Sequence, residues 1–218
     1  MLHKADGSTL TGEITQFSNG TILLKLPAGS VGVPLADVTK VEMAAPAALA
    51  ETEKASPEAV QAALQPLVDQ FKGLPVPWVP TAMARLADAA RAKGDTAKAN
   101  AVYEEIASLY GGADAPISAK IALARHALIQ KRIDEALALL QPIVAEVRKA
   151  PGGAAVADSL GALFLLHGEV LEAKGDAPAA FESYLTTVTL FNHNPGNVAA
   201  AKERIAVLTQ ASPNLQVP

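Results

Sequence analysis

The stretches "AKGDTAKANAVY" (Ala92 to Tyr103) and "AKGDAPAAFESY" (Ala173 to Tyr184) place Ala-Lys-Gly-Asp, a later Ala and a final Tyr at the same spacings, about eighty residues apart. A unit that recurs in this way cannot bury its apolar face alone, so it predicts a stack of helical hairpins in which each repeat is covered by its neighbours. Two antiparallel helices approach closely only where one presents a small residue. Ala87, Ala99, Ala124, Ala136, Gly168 and Ala180 stand where that task falls. Gly94 and Gly175 each follow a lysine, as expected where a left-handed residue stops a helix and a cation meets its negative end. Asp95 and Asp176 can then cap the next helix. Alanine supplies about a fifth of the 218 residues and aromatics only 4%, which suits close-packed helices.

The pattern resembles the tetratricopeptide repeat. Its positions hold Met83, Leu86-Ala87, Ala90, Gly94, Ala99 and Tyr103 in one hairpin, and Phe164, His167-Gly168, Leu171, Gly175, Ala180 and Tyr184 in another. Between them Leu123-Ala124, Ala127, Lys131, Ala136 and Leu140 form a middle repeat, with Lys131 where the turn glycine is expected and Leu140 in place of the aromatic. A last helix, from Asn197 or Val198 to about Gln210, closes the stack. The resemblance covers Val79 to Gln210.

The N-terminal part has a different period. From Thr9 to Met43 apolar residues alternate or run in short β-rich bursts between turn signals at Asp6-Gly7, Asn19-Gly20 and Pro27-Ala28-Gly29, which predicts four or five short strands. Leu2 to Ala5 reads as a further strand at the start. So small a sheet buries both faces only by curling, and Gly7 and Gly12 with Ile14 behind them are similar to the first motif of Sm-type SH3-like barrels. The acidic and amide residues that read RNA in that family would fall near Ser18 and Ile22, and its basic second motif is missing. The resemblance implies a fold and not RNA binding.

Residues 44–56 read as a linker. Ser56-Pro57-Glu58 opens a helix to about Lys72, expected to bend or break at Pro66. "GLPVPWVP" is expected to be non-helical, with Trp78 as an aromatic lid. The expectation is therefore an α+β chain: a small N-terminal SH3-like β-barrel or half-barrel over 1–43, the linker over 44–56, an all-α TPR-like helical-hairpin solenoid over 57–210 and a flexible tail over 211–218.

A net charge of -4 without a basic cluster provides no footprint for nucleic acid, and no apolar run of membrane-spanning length occurs. Zero cysteines remove thiol nucleophiles and zinc-thiolate sites. His3, His126, His167 and His193 show no metal-ligand spacing. His126 and His167 lie on helices, where packing is the expected role. GxSxG, GxGxxG and GxxxxGK are absent, and Glu104-Glu105 point in different directions on their helix. No cofactor, metal or catalytic set is expected.

In tetratricopeptide proteins the first helices of successive hairpins line a concave face. The resemblance implies that this face holds a protein or peptide partner through Asp88, Arg91, Ile121, Arg125, Leu165 and Glu169, with the arginines meeting a carboxylate and the apolar residues supplying a pocket. Thr81, Ala84, Ser118, Leu128, Ile129, Ala162 and Glu172 share those helices' faces. The segment from Ser183 to Leu208 is similar to repeats of bacterial envelope proteins, such as the Tol-Pal coordinator and the lipoprotein of outer-membrane barrel assembly. That implies a cell-envelope or periplasmic scaffold whose N-terminal signal or anchor has been removed; otherwise the chain is cytoplasmic. A structural protein that self-associates as a homo-oligomer through its helical stack, and an enzyme with scattered catalytic residues, are the alternatives.

Overall fold

The computed structural model describes residues 1–112, 116–149, 157–212 and 215. Six short strands open the chain: β1 (Leu2–Lys4), β2 (Thr9–Leu10), β3 (Glu13–Ser18), β4 (Thr21–Leu26), β5 (Gly29–Pro34) and β6 (Val38–Val41). They form two antiparallel three-stranded sheets, ordered β2-β1-β6 and β3-β4-β5. The alternation of the sequence places Ile14, Ile22, Leu24 and Val33 on the buried face of one sheet, with Leu2 and Val41 paired in the other.

The expected barrel does not close. β1 and β2 have three and two residues, too few to carry a continuous ladder around a barrel. After β5 a single 3-10 turn, Leu35–Asp37, sends the chain to the other sheet, and β5 is left at an edge.

Nine helices follow among the described residues: α1 (Ala47–Glu51), α2 (Pro57–Phe71), α3 (Trp78–Ala92), α4 (Thr96–Tyr110), α5 (Ile117–Ile129), α6 (Ile133–Lys149), α7 (Ala157–Lys174), α8 (Ala177–Thr189) and α9 (Pro195–Ala211). Ser56 caps α2 as expected, its hydroxyl accepting from the Ala59 N–H at 3.3 Å. The helix is not broken at Pro66 and continues to Phe71. One lost backbone bond is outweighed there by the apolar stripe Val60, Leu64, Val68 and Phe71, all buried.

Trp78 and Pro80 are likewise helical, against expectation. They fall in the first turn of α3, where backbone N–H groups have no intrahelical partner and proline costs nothing. Trp78 packs edge-on against Phe71, with ring centroids 5.6 Å apart. The segment read as a linker contains α1, one and a half turns of alanine-rich helix entered from Pro46.

The hairpin turns follow the repeat. Gly94 and Gly175 have φ of +83° and +88°, a conformation that costs other residues a clash. Lys131 adopts the same region at +59° in the middle turn. Asp95 accepts from the Lys98 N–H at 3.0 Å and Asp176 from that of Ala179 at 3.2 Å, capping α4 and α8. Ala99, Ala136 and Ala180 are fully buried. The final helix starts at Pro195, two or three residues earlier than expected, because the Asn194 side chain caps it, accepting from Gly196 and Asn197. The expected tail from Ala211 lies largely outside the described residues, although Leu215 packs on the last core.

Contacts divide the chain into two compact units, Met1–Ala119 and Lys120–Pro218. The first holds both sheets and the hairpin α3–α4. The second holds the hairpin α7–α8 and the closing helix α9.

Candidate functional site

In the first unit the predicted residues Asp88 and Arg91 are one helical turn apart on α3. A guanidinium nitrogen of Arg91 lies 3.2 Å from the Asp88 carboxylate, and the guanidinium stands 5.6 Å above the Tyr103 ring. The Tyr103 hydroxyl donates to the same carboxylate at 3.0 Å. Tyrosine, the last residue of the repeat motif, thus returns from α4 to hold a charge on α3. Asp88 keeps about half of its side-chain surface in solvent and remains able to accept from a partner.

Behind α3 lies a cavity of about 110 Å³ walled by Val68, Met83, Leu86 and Val102. Lys72 and Glu105 bridge one side of it at 2.8 Å, and the carboxylate raises the lysine's pKa. Nothing in the sequence pattern announced this space, since it depends on how α2 lies against α3 and α4.

In the second unit Ile121 and Leu165 are buried, 9% and 6% exposed. Leu165 belongs to a core with Leu171, Phe181, Tyr184, Ala201 and Leu208. The two apolar positions thus face the interior rather than an open pocket.

Arg125 on α5 and Glu169 on α7 are half-buried. Burial pushes the Glu169 carboxyl above its ordinary pKa, the guanidiniums of Arg125 and Arg204 pull it down, and Glu172 pushes it up again. Among the described residues Glu169 makes no hydrogen bond and no ion pair within 4.0 Å. Its neighbour Glu172 is fully engaged: it accepts from the Tyr184 hydroxyl at 2.9 Å and from both faces of the Arg204 fork, Nε at 3.1 Å and a terminal nitrogen. Arg204 was not singled out in the sequence, because only the return of α9 to α7 brings it there.

His167 is buried on α7 with its Nδ1 2.9 Å from the Ser183 hydroxyl oxygen. Burial, with Arg148 adding to it, pushes the imidazole down to about 4, so the ring is neutral at pH 7. The Ser183 hydroxyl also stands 3.0 Å from the Ala179 carbonyl, so a His167 tautomer with its hydrogen on Nδ1 satisfies both side chains inside the core. Among the described residues no group of three His, Asp or Glu could hold a metal ion, and no helix is long and apolar enough to cross a membrane.

No family model and no curated protein matches the chain. Among solved structures, the N-terminal domain of stress-induced protein-1 (STI-1) from C. elegans is similar, with a TM-score of 0.38 and 19% identity over 59% of this chain and 95% of that one.

Proposed function

We propose that the chain is a non-enzymatic scaffold that binds a segment of another protein through the first helices of its hairpins. The observation that carries this reading is the Glu169 carboxylate, half-buried, within the field of Arg125 and Arg204, and without a bond of its own. A carboxylate partly withdrawn from water and held by no protein donor is placed to accept a partner's N–H groups. Arg125, on the neighbouring first helix, offers a donor fork to a carboxylate or carbonyl of the same segment. Asp88 and Arg91 offer the corresponding pair in the first unit. Ile121 and Leu165 support the helices that carry these charges.

A place in a bacterial cell-envelope complex is the finer form of this proposal, supported by the resemblance of the last repeat to envelope proteins. Fractionation of the native organism with an antibody against the chain tests it, and an exclusively cytoplasmic signal would end it.

The binding reading is tested by affinity capture with the full chain as bait. Arg125→Glu should lose the captured partner by at least tenfold, and Glu169→Gln should weaken it. Reversal of the exposed Lys202 to Glu should leave capture unchanged. Equal capture by all three at equal folded fraction would remove these helices as the binding face.

A further inference from the structure

One side of α3 presents Thr81, Arg85 and Asp88 at helical spacing, the first two half-buried and Asp88 exposed. Arg85 is already engaged. One guanidinium nitrogen donates to the Leu49 carbonyl and to the Thr52 hydroxyl, the latter at 3.1 Å. Both acceptors belong to the last turn of α1. There the Thr52 hydroxyl donates to the Ala48 carbonyl at 2.8 Å, while the Thr52 N–H bonds to the same carbonyl at 3.1 Å. Thr52 is 6% exposed, although Glu51 and Glu53 on either side of it are open to solvent.

Arg85 has no carboxylate within 4.0 Å among the described residues. Burial of its charge, the larger influence, is opposed only by the more distant Glu53. A guanidinium that gives up water without gaining an anion must recover hydrogen bonds elsewhere. Here it recovers them from one carbonyl oxygen and one hydroxyl at the end of a helix, where the peptide dipoles point their negative ends. α1 has five residues and is too short to be stable by itself. Its order comes from packing on α2 and from the two Arg85 bonds.

We infer that the α3 face is an acceptor for the C-terminal turn of a short helix, that α1 is an intrachain occupant of it, and that the partner segment is a helix of small apolar residues ending in a serine or threonine. The inference deepens the scaffold reading by giving the partner a conformation, and it rests on that reading for the identity of the face. A partner helix displaces α1 by presenting Arg85 with the same two oxygens. Because α1 is tethered through residues 44–46 and 52–56, it competes at an effective concentration in the millimolar range. The free face therefore binds a matching helix more tightly than the resting chain does.

The test uses the full chain and a synthetic peptide of residues 44–56, acetylated and amidated, followed by amide chemical shifts. Leu49→Gly with Ala50→Gly raises the entropy cost of ordering α1 and unseats it in place. This variant should titrate with the peptide at concentrations on the order of 0.1 mM, with saturating shifts at Thr81, Arg85 and Asp88. The unaltered chain, in which α1 competes at an effective concentration of about 1 mM, should respond about tenfold more weakly, and the glycine variant combined with Arg85→Met should not respond. If the glycine pair disturbs the fold beyond α1, Glu51→Pro, past the first turn of α1, serves the same purpose. Equal titration of altered and unaltered chains, absence of saturation in both α1 variants, or full binding without Arg85 would each overturn the inference. Capture of the native partner does not enter this titration. Failure of the Arg125→Glu experiment with a positive peptide titration would reject the scaffold reading and leave the acceptor face standing.

Discussion

The hairpins α3–α4 and α7–α8 are built on one frame and differ in what fills it. Both turn at Lys-Gly-Asp with glycine near φ +85°, both cap the second helix with aspartate, and both bury the motif tyrosine. Eight residues ahead of the turn glycine the first has Leu86 and the other His167; eight residues behind it they have Val102 and Ser183. In the first hairpin this slot is apolar and borders a cavity. In the other a hydrogen-bonded pair occupies it at 2.9 Å. One residue closer to the turn, Ala87 corresponds to Gly168. The Tyr184 ring lies on Gly168 so closely that an added methyl would meet Cε1 at 2.5 Å.

The hydroxyls then reach different acids, Tyr103 to Asp88 and Tyr184 to Glu172, which lies a turn nearer the glycine. The comparison teaches that a repeat preserves backbone and small contacts while its interior polarity is free to change. Gly168 lets the Tyr184 ring lie against the helix, and the partners differ because Arg91 stands in the first hairpin where Glu172 stands in the other.

Acidification should separate the two hairpins most. His167 has a folded pKa of about 4, below its ordinary value of 6.5. Between these values the unfolded chain binds the proton and the folded chain does not, so stability falls as pH drops from about 6.5 toward 4, by on the order of 3 kcal/mol. Above pH 7 both forms are neutral and the effect vanishes. Urea melts across this range should show the loss, and His167→Leu with Ser183→Val, which imports the first hairpin's chemistry, should reduce it. Parallel pH curves for the two proteins would mean that the imidazole is not held neutral by burial.

Next in size is Gly168→Ala, which should cost about 1–3 kcal/mol by overpacking against Tyr184. Adding Tyr184→Leu should recover much of it, because the middle hairpin tolerates the pair Ala124 and Leu140 at those positions. The mirror change, Ala87→Gly, has no ring waiting to fill the space and should cost about 1 kcal/mol through helix propensity. A thermal melt in which Gly168→Ala is neutral would undo the account of the tyrosines.

Asp95→Ala and Asp176→Ala should each cost about 1 kcal/mol and should match, since the caps belong to the shared frame. Unequal losses in denaturant titrations would show that the turns are less alike than their geometry. The smallest difference is expected from Arg91→Met and Arg204→Met, each within about 0.2–1 kcal/mol because both pairs reach solvent. Arg204 should cost more, since it joins two helices rather than two residues of one helix; double-mutant cycles with Asp88 and Glu172 measure each pair.

What was legible in the chain was the frame. Gly94, Gly175, Asp95 and Asp176 act through their own backbone, and Ala99 and Ala180 act by being small, so their roles travel with their letters. Pro66 and Trp78 misled because local preference was outweighed by a buried stripe in one case and by position in the first turn in the other. The open sheets were not legible, because closure depends on strand lengths that alternation sets only loosely. At the candidate site Arg125 and Glu169 could be placed on their helices from spacing. That Glu172 would be claimed by Tyr184 and Arg204, or Arg85 by α1, required elements to return from 32 and 36 residues away. Charges on a helix face are readable; what already occupies them is not.

The pairing of Leu2 with Val41 sets an order of events during synthesis. A ribosome adds about 5–20 residues per second, so the inner edge of β1 waits seconds for the strand that completes its sheet. Each hairpin, by contrast, finds its tyrosine contact within 15 residues of chain. A pause before Val41 leaves an incomplete sheet exposed to other nascent chains, whereas a pause after Tyr103 leaves a hairpin already closed. Codon choice over the first forty or so residues is therefore where translation speed should matter most for yield.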